Sequence, residues 1–370
     1  MKKGQFDYVL IIIVAILLIL GILLLSGVSA ISSQEKFKRT TYYLFHQIIW
    51  GLGIGIFLGF IAFKIPLSVF KKGAWVLILI NLIFMILVFI PKLSIASGGA
   101  PRWINFVFFT FQPSEMLKLA FILYLSAWLA NRGKASLQKN KENWKITLIP
   151  FLLILGLITF FLTYQSDIST LAVIVIIACL MYFLANISLW HSVLILSLVT
   201  GGLLLLIRLA PYRIHRILVF LRPEIDPMGI GYQIKQALIA IGSGGISGLG
   251  FGMSKQKFGF LPQTMSDSLF AIFAEEAGFI GATILIILFL IFLWRGFRIA
   301  RNSKDKFSQL LAVGISIWIC VQAFVNIGAM IGILPLTGIP LPFISYGGSH
   351  IATELIGVGI LLNISKQNKR

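Results

Sequence analysis

Apolar residues fall in long unbroken blocks along this chain, without the strict alternation of half-buried strands. Blocks near 8–30, 44–63, 73–90, 115–130, 146–163, 168–186, 189–209, 268–294, 308–333 and 349–364 each approach the ~20 apolar residues that cross a bilayer as a helix. The pattern predicts an all-α integral membrane protein, a bundle of about ten transmembrane helices forming one polytopic domain over residues 1–370. A long extracytoplasmic loop, about 210–267, interrupts it. The first block follows Met1-Lys2-Lys3; its apolar run exceeds a signal-peptide core and no small-residue cleavage site follows, so it reads as a retained signal anchor.

Composition agrees, because 58% hydrophobic residues, 12% charged residues and a mean hydropathy of +0.98 exclude a soluble domain of this length. With the N-terminus inside, the cytoplasmic segments hold 18 Lys and Arg and the short outer loops hold 5, so both termini are expected in the cytoplasm. The net charge of +19 is then largely this inward bias facing anionic lipid headgroups, and does not indicate a nucleic-acid partner. Cys179 and Cys320 both lie in apolar stretches, which excludes a disulfide framework.

Polar chemistry gathers in three outer segments, 91–114, 210–267 and 334–349. Within the long loop, Ile214, Ile217, Leu218 and Leu221 share one face of a helix with Arg213 and Arg216 off it, the pattern of an interfacial helix. A second such stretch covers Tyr232 to Ile241, followed by glycine-rich backbone at 242–252. Nucleotide, zinc and serine-hydrolase motifs are absent. Instead, Glu115, Lys118, Asp167, Asp267, Glu275, Glu276 and Glu354 stand at or near membrane depth, where an ionisable group marks either a functional site or an internal ion pair. Glu115 and Lys118, three residues apart, can satisfy one another. Glu275 and Glu276 are expected to serve packing or gating.

Arg102-Trp103-Ile104, Phe111-Gln112-Pro113-Ser114-Glu115, Asp226-Pro227-Met228-Gly229-Ile230-Gly231-Tyr232-Gln233 and the run Pro335 to Ser349 together resemble the signatures of the SEDS family, the FtsW, RodA and SpoVE group. The resemblance covers nearly the whole chain. Ser254-Lys255-Gln256-Lys257 is closer to the FtsW form than to the RodA form. Two positions depart from the family pattern: Met265-Ser266-Asp267-Ser268 replaces a His-Thr-Asp-Phe run, and His350 replaces a serine.

The resemblance implies a peptidoglycan glycosyltransferase that polymerises lipid II at the outer face of the bacterial cytoplasmic membrane, in division or elongation. It would work with a class B penicillin-binding protein and other divisome or elongasome membrane proteins. Asp267 takes the position of the family's acidic residue, as general base or as ligand of a divalent cation (Mg2+ or Mn2+); an N-cap of the following span is the structural alternative. Arg102, Arg213, Arg216, Lys255 and Lys257 are candidates for the substrate's anionic pyrophosphate. Glu115, Lys118, Ser345 and Tyr346 complete the candidate substrate groove, into which the Pro- and Gly-rich segment 335–349 returns. The rival readings are a lipid II flippase, since a transporter also carries buried carboxylates, and a silent scaffold. Two features favour the enzyme: polar residues gather on one face, and no broken-helix pair marks a midplane site; the lack of an internal repeat also counts against an inverted-repeat transporter.

Overall fold

The computed structural model describes residues 6–97, 100–106, 109–138, 144–185 and 211–367, with scattered positions between 193 and 208. The helices are α1 (Tyr8–Phe37), α2 (Tyr42–Lys64), α3 (Leu67–Leu87), α4 (Pro113–Gln138), α5 (Trp144–Tyr164), α6 (Ile168–Leu184), α7 (Pro211–Leu221), α8 (Ile230–Ser243), α9 (Leu269–Arg301), α10 (Lys306–Met330) and α11 (Gly348–Gln367). Nine of the ten expected spans coincide with helices among the described residues; the span at 189–209 falls mostly outside them. Six of these helices are long and apolar enough to cross a membrane, and shorter apolar helices occur at Leu148–Tyr164 and Ile168–Leu184.

The bundle is organised around α10, which is buried along most of its length against α9, α4, α6 and α11. α2 lies along α11 through small residues. A Cβ on Gly59 would meet Leu355 O at 2.7 Å, and one on Gly359 would meet Gly59 O at 2.1 Å, so this crossing requires glycine on both helices. α3 instead packs on α4, and the consecutive helices α2 and α3 make at most slight contact with each other. A gap is left between them.

Charged caps fix the helix ends. Asp7 accepts from Leu10 N at 3.1 Å at the start of α1 and pairs with Arg295 of α9, with Nη2 at 2.5 Å, joining two helix ends with a bidentate bridge. Asp167 accepts from Thr170 N at the start of α6 and from the Ser114 hydroxyl at 3.0 Å. Its carboxylate is thus an N-cap that also locks α4 to α6.

Two features differ from expectation. Three strands, β1 (Ser94–Ser97), β2 (Ala100–Asn105) and β3 (Thr110–Phe111), form a small antiparallel sheet in the order β1-β2-β3. In addition, α9 is broken at Gly278, whose φ is 65°. A break at membrane depth frees backbone groups that lipid will not satisfy. Here Leu249 N and Gly250 N donate to the carbonyls of Glu275 and Glu276, both at 3.0 Å, while Phe279 N and Ile280 N donate to Gly245 O and Ile246 O. The glycines make this approach possible, since a Cβ on Gly248 would lie 2.1 Å from Glu276 O. The glycine-rich run is therefore a splint for a broken helix.

Candidate active site

A cavity of about 830 Å³ opens where α2, α3, the β-sheet, the α5–α6 turn and the segment 337–350 meet. One side is apolar, with Ile54 and Leu58 from α2 and Leu77, Ile80 and Phe84 from α3 lining the gap between those helices. The other side is polar and carries Arg102, Glu115, Asp167, Arg216, Asp267 and His350.

Asp267 is held from several directions. Its carbonyl accepts from Asn326 Nδ2 at 2.8 Å, and the same amide donates to Ile339 O at 2.7 Å. The residue before it is clamped through its carbonyl, which accepts from the Ser345 hydroxyl at 2.5 Å. Tyr346 N donates to Met265 O at 2.8 Å. The carboxylate itself accepts from the Ser266 hydroxyl at 2.6 Å and faces the cavity. The N-cap of α9 is Ser268, so Asp267 does not fill that alternative role. Burial raises the Asp267 pKa above the ordinary carboxylate value, opposed by hydrogen bonds from Ser266 and Gln233 and by the charge of Arg216.

The other expected residues divide between wall and framework. Arg102 lines the cavity but commits Nε and Nη2 to the carbonyls of Gln165 and Ser166, at 3.2 and 2.7 Å. Arg216 is exposed at the rim on amphipathic α7, and the side chain of Arg213 lies outside the described residues. Tyr346 lines the cavity with its hydroxyl 3.0 Å from His46 Nδ1, and burial pushes its phenol above the usual tyrosine pKa. Ser345 is buried behind the wall, where its oxygen also accepts from Leu341 N at 2.9 Å.

Glu115 and Lys118 pair at 2.9 Å in a wholly buried cluster. Lys118 also donates to Gln322 Oε1 at 2.7 Å and stands 5.6 Å from the Trp318 ring centre, while His350 sits between Glu115 at 3.0 Å and Glu354 at 3.2 Å. Only Glu115 and His350 of this cluster reach the cavity wall.

Lys255 and Lys257 do not line the cavity. Lys257 is buried against Glu276 at 3.2 Å, and the Glu275 carboxylate receives Lys255 N, Gln256 N and the Ser254 hydroxyl. The expected outward basic surface is therefore smaller than the sequence suggested, because a carboxylate pair draws Lys257 inward. Asp226, in the loop between α7 and α8, is likewise structural. Its carboxylate accepts from Ile230 N and Gly229 N at 2.9 Å, which holds its pKa below the ordinary value. Gln322 and Asn326 escaped the sequence reading, although each is a polar residue in a span that is otherwise almost wholly apolar and buried.

The model of the cell cycle protein family named for FtsW, RodA and SpoVE matches residues 8–370. The chain belongs to this family. Among its relatives, stage V sporulation protein E of Bacillus subtilis (strain 168) is 37% identical, the match spanning 100% of this chain and 99% of that protein. "Probable peptidoglycan glycosyltransferase FtsW" of Coxiella burnetii is 36% identical over 99% of this chain and 97% of its own. A chain in a solved peptidoglycan synthase complex, described as coordinating polymerization and crosslinking, superposes with a TM-score of 0.78 at 26% identity, covering 98% of each chain. The crystal structure of Thermus thermophilus rod shape determining protein RodA matches in fold, with a TM-score of 0.71 at 24% identity over 99% of this chain and 98% of that one. Family and fold together make this a multi-pass membrane protein.

Proposed function

We propose that the chain polymerises lipid II into glycan strands at the outer face of the bacterial cytoplasmic membrane, with both termini inside. The observation that carries this reading is the amphipathic cavity with Asp267 on its polar side and the apolar gap between α2 and α3 on the other. A lipid-linked sugar pyrophosphate has the same two-sided chemistry. The relatives' name as peptidoglycan glycosyltransferases supports the assignment, and the one-sided placement of polar groups favours it over a flippase.

In this reading the polyprenyl chain lies between α2 and α3, and Arg216, with the fixed charge of Arg102, faces the pyrophosphate. Asp267 takes the proton from the 4-hydroxyl of an acceptor N-acetylglucosamine. The oxygen then bonds to the anomeric carbon of the donor N-acetylmuramic acid, the bond to phosphate breaks, and undecaprenyl pyrophosphate leaves with the electron pair. Among the described residues no group of three His, Cys, Asp or Glu side chains is placed to hold a metal ion. Asp267 is the residue that would hold a divalent cation, which would supply positive charge for the departing pyrophosphate. By family resemblance, the partner is a class B penicillin-binding protein in the divisome or elongasome, and the FtsW-like run Ser254-Lys255-Gln256-Lys257 favours the division side.

Occupancy of the gap is directly testable. A photoreactive side chain at Leu58 or Ile80 is expected to capture lipid II in vesicles, while one at Ile12, on the exposed face of α1, captures only bulk lipid. Equal capture at all three positions would remove the cavity as the substrate groove.

A further inference from the structure

The segment 246–260 has its polarity reversed. Ile246, Leu249, Phe251, Met253, Phe258 and Phe260 are 43% to 74% exposed, whereas the charged side chains they enclose, Lys257, Glu275 and Glu276, are 7% exposed or less. A loop bathed in water presents the opposite arrangement. Most of the backbone N–H groups are also paired internally. The N–H groups of residues 248–250 and 253–258 find acceptors within the protein, four of them on the Glu275 and Glu276 carboxylates or on the hydroxyl that these carboxylates hold.

Position gives the same answer as polarity. The break at Gly278, to which this segment is hydrogen-bonded, lies nine residues into α9, about 14 Å of helical rise from its outer end. The segment thus stands beside the span and not above it. Its apolar surface continues into Phe279, Ile280 and Ile284 of α9, all more than half exposed, through the bonds from Phe279 N and Ile280 N to Gly245 O and Ile246 O. Lys257 Nζ also comes within 3.8 Å of where a Cβ on Gly27 of α1 would sit.

We infer that residues 246–260 form a re-entrant element embedded in the acyl region of the outer leaflet, with the buried Lys257–Glu276 pair as its polar core. Apolar side chains face lipid, internal pairing takes up most of the backbone N–H groups, and exposed Lys255 extends to the headgroups. The element leads through 261–266 to Asp267, so it also sets the height of that carboxylate relative to the membrane surface.

Spin labels at Phe251→Cys and Phe258→Cys, in a Cys179→Ser/Cys320→Ser background reconstituted alone into vesicles, test this. Ile284→Cys serves as the lipid reference and Lys92→Cys, in an exposed loop, as the water reference. The expected result is collision with dissolved oxygen at 251 and 258 matching that at 284, with loss of collision with a water-soluble nickel chelate. Chelate collision equal to that at 92 would overturn the proposal in favour of a solvated loop. Shielding from both reagents would overturn it in favour of a surface covered by a second copy of the chain.

Discussion

Asp267→Asn is expected to lower lipid II polymerisation at least about a hundredfold, the scale of losing a general base, while insertion and folding are retained. Asparagine keeps the size and the backbone bond to Asn326, and leaves the neighbouring Ser345–Ser266 bond in place, so only the charge and the proton acceptor disappear. The pH dependence carries the same signature. Because burial raises the Asp267 pKa, the carboxylate stays protonated to a higher pH than an exposed aspartate. Wild-type activity should therefore rise with pH through that elevated value. For stability the sign is reversed: a carboxyl group with a folded-state pKa above its unfolded value is penalised as pH rises through the folded value. The asparagine variant should accordingly be at least as stable as wild type at neutral pH. Gel analysis of glycan strands against pH, with thermal unfolding alongside, checks both expectations.

Lys118→Met is expected to cost about 3–5 kcal/mol of stability, as removing one partner strands a buried charge. Lys118 is the cation between Glu115 and Gln322, and its loss leaves Glu115 with only the contested His350, which is shared with Glu354. Adding Glu115→Gln should restore most of the loss, because two uncharged groups carry no unpaired charge. Unfolding midpoints in mild detergent for the two variants and wild type measure the difference. A double variant no more stable than Lys118→Met would show that the cluster is not organised around this pair.

Much of this architecture was legible because membrane spans announce themselves as apolar blocks, and α1, α2, α10 and α11 fall where those blocks predicted. α3 begins earlier than expected, at Leu67, because Lys71 and Lys72 sit within its first turns and not in a loop. The sheet at 94–111 was missed because its strands are short and carry no sustained alternation. Asp267 and Glu115 stood out as ionisable residues at membrane depth, Arg102 and Tyr346 came from the family resemblance, and all four line one cavity. Lys257 was read as part of a basic surface because charge placement along a chain does not reveal whether a lysine faces a carboxylate 19 residues away. The break at Gly278 had a sequence trace, a glycine after Glu275-Glu276 with a glycine-rich run upstream, but its pairing is tertiary.

The central claim is enzymatic, and strand formation by the purified chain tests it most directly. Reconstituted with its class B penicillin-binding partner and given labelled lipid II, the protein is expected to produce a ladder of glycan strands that the Asp267→Asn chain does not. Transfer of lipid II between leaflets without any polymer, under conditions in which both proteins remain folded and bound to each other, would contradict the account and establish the flippase instead.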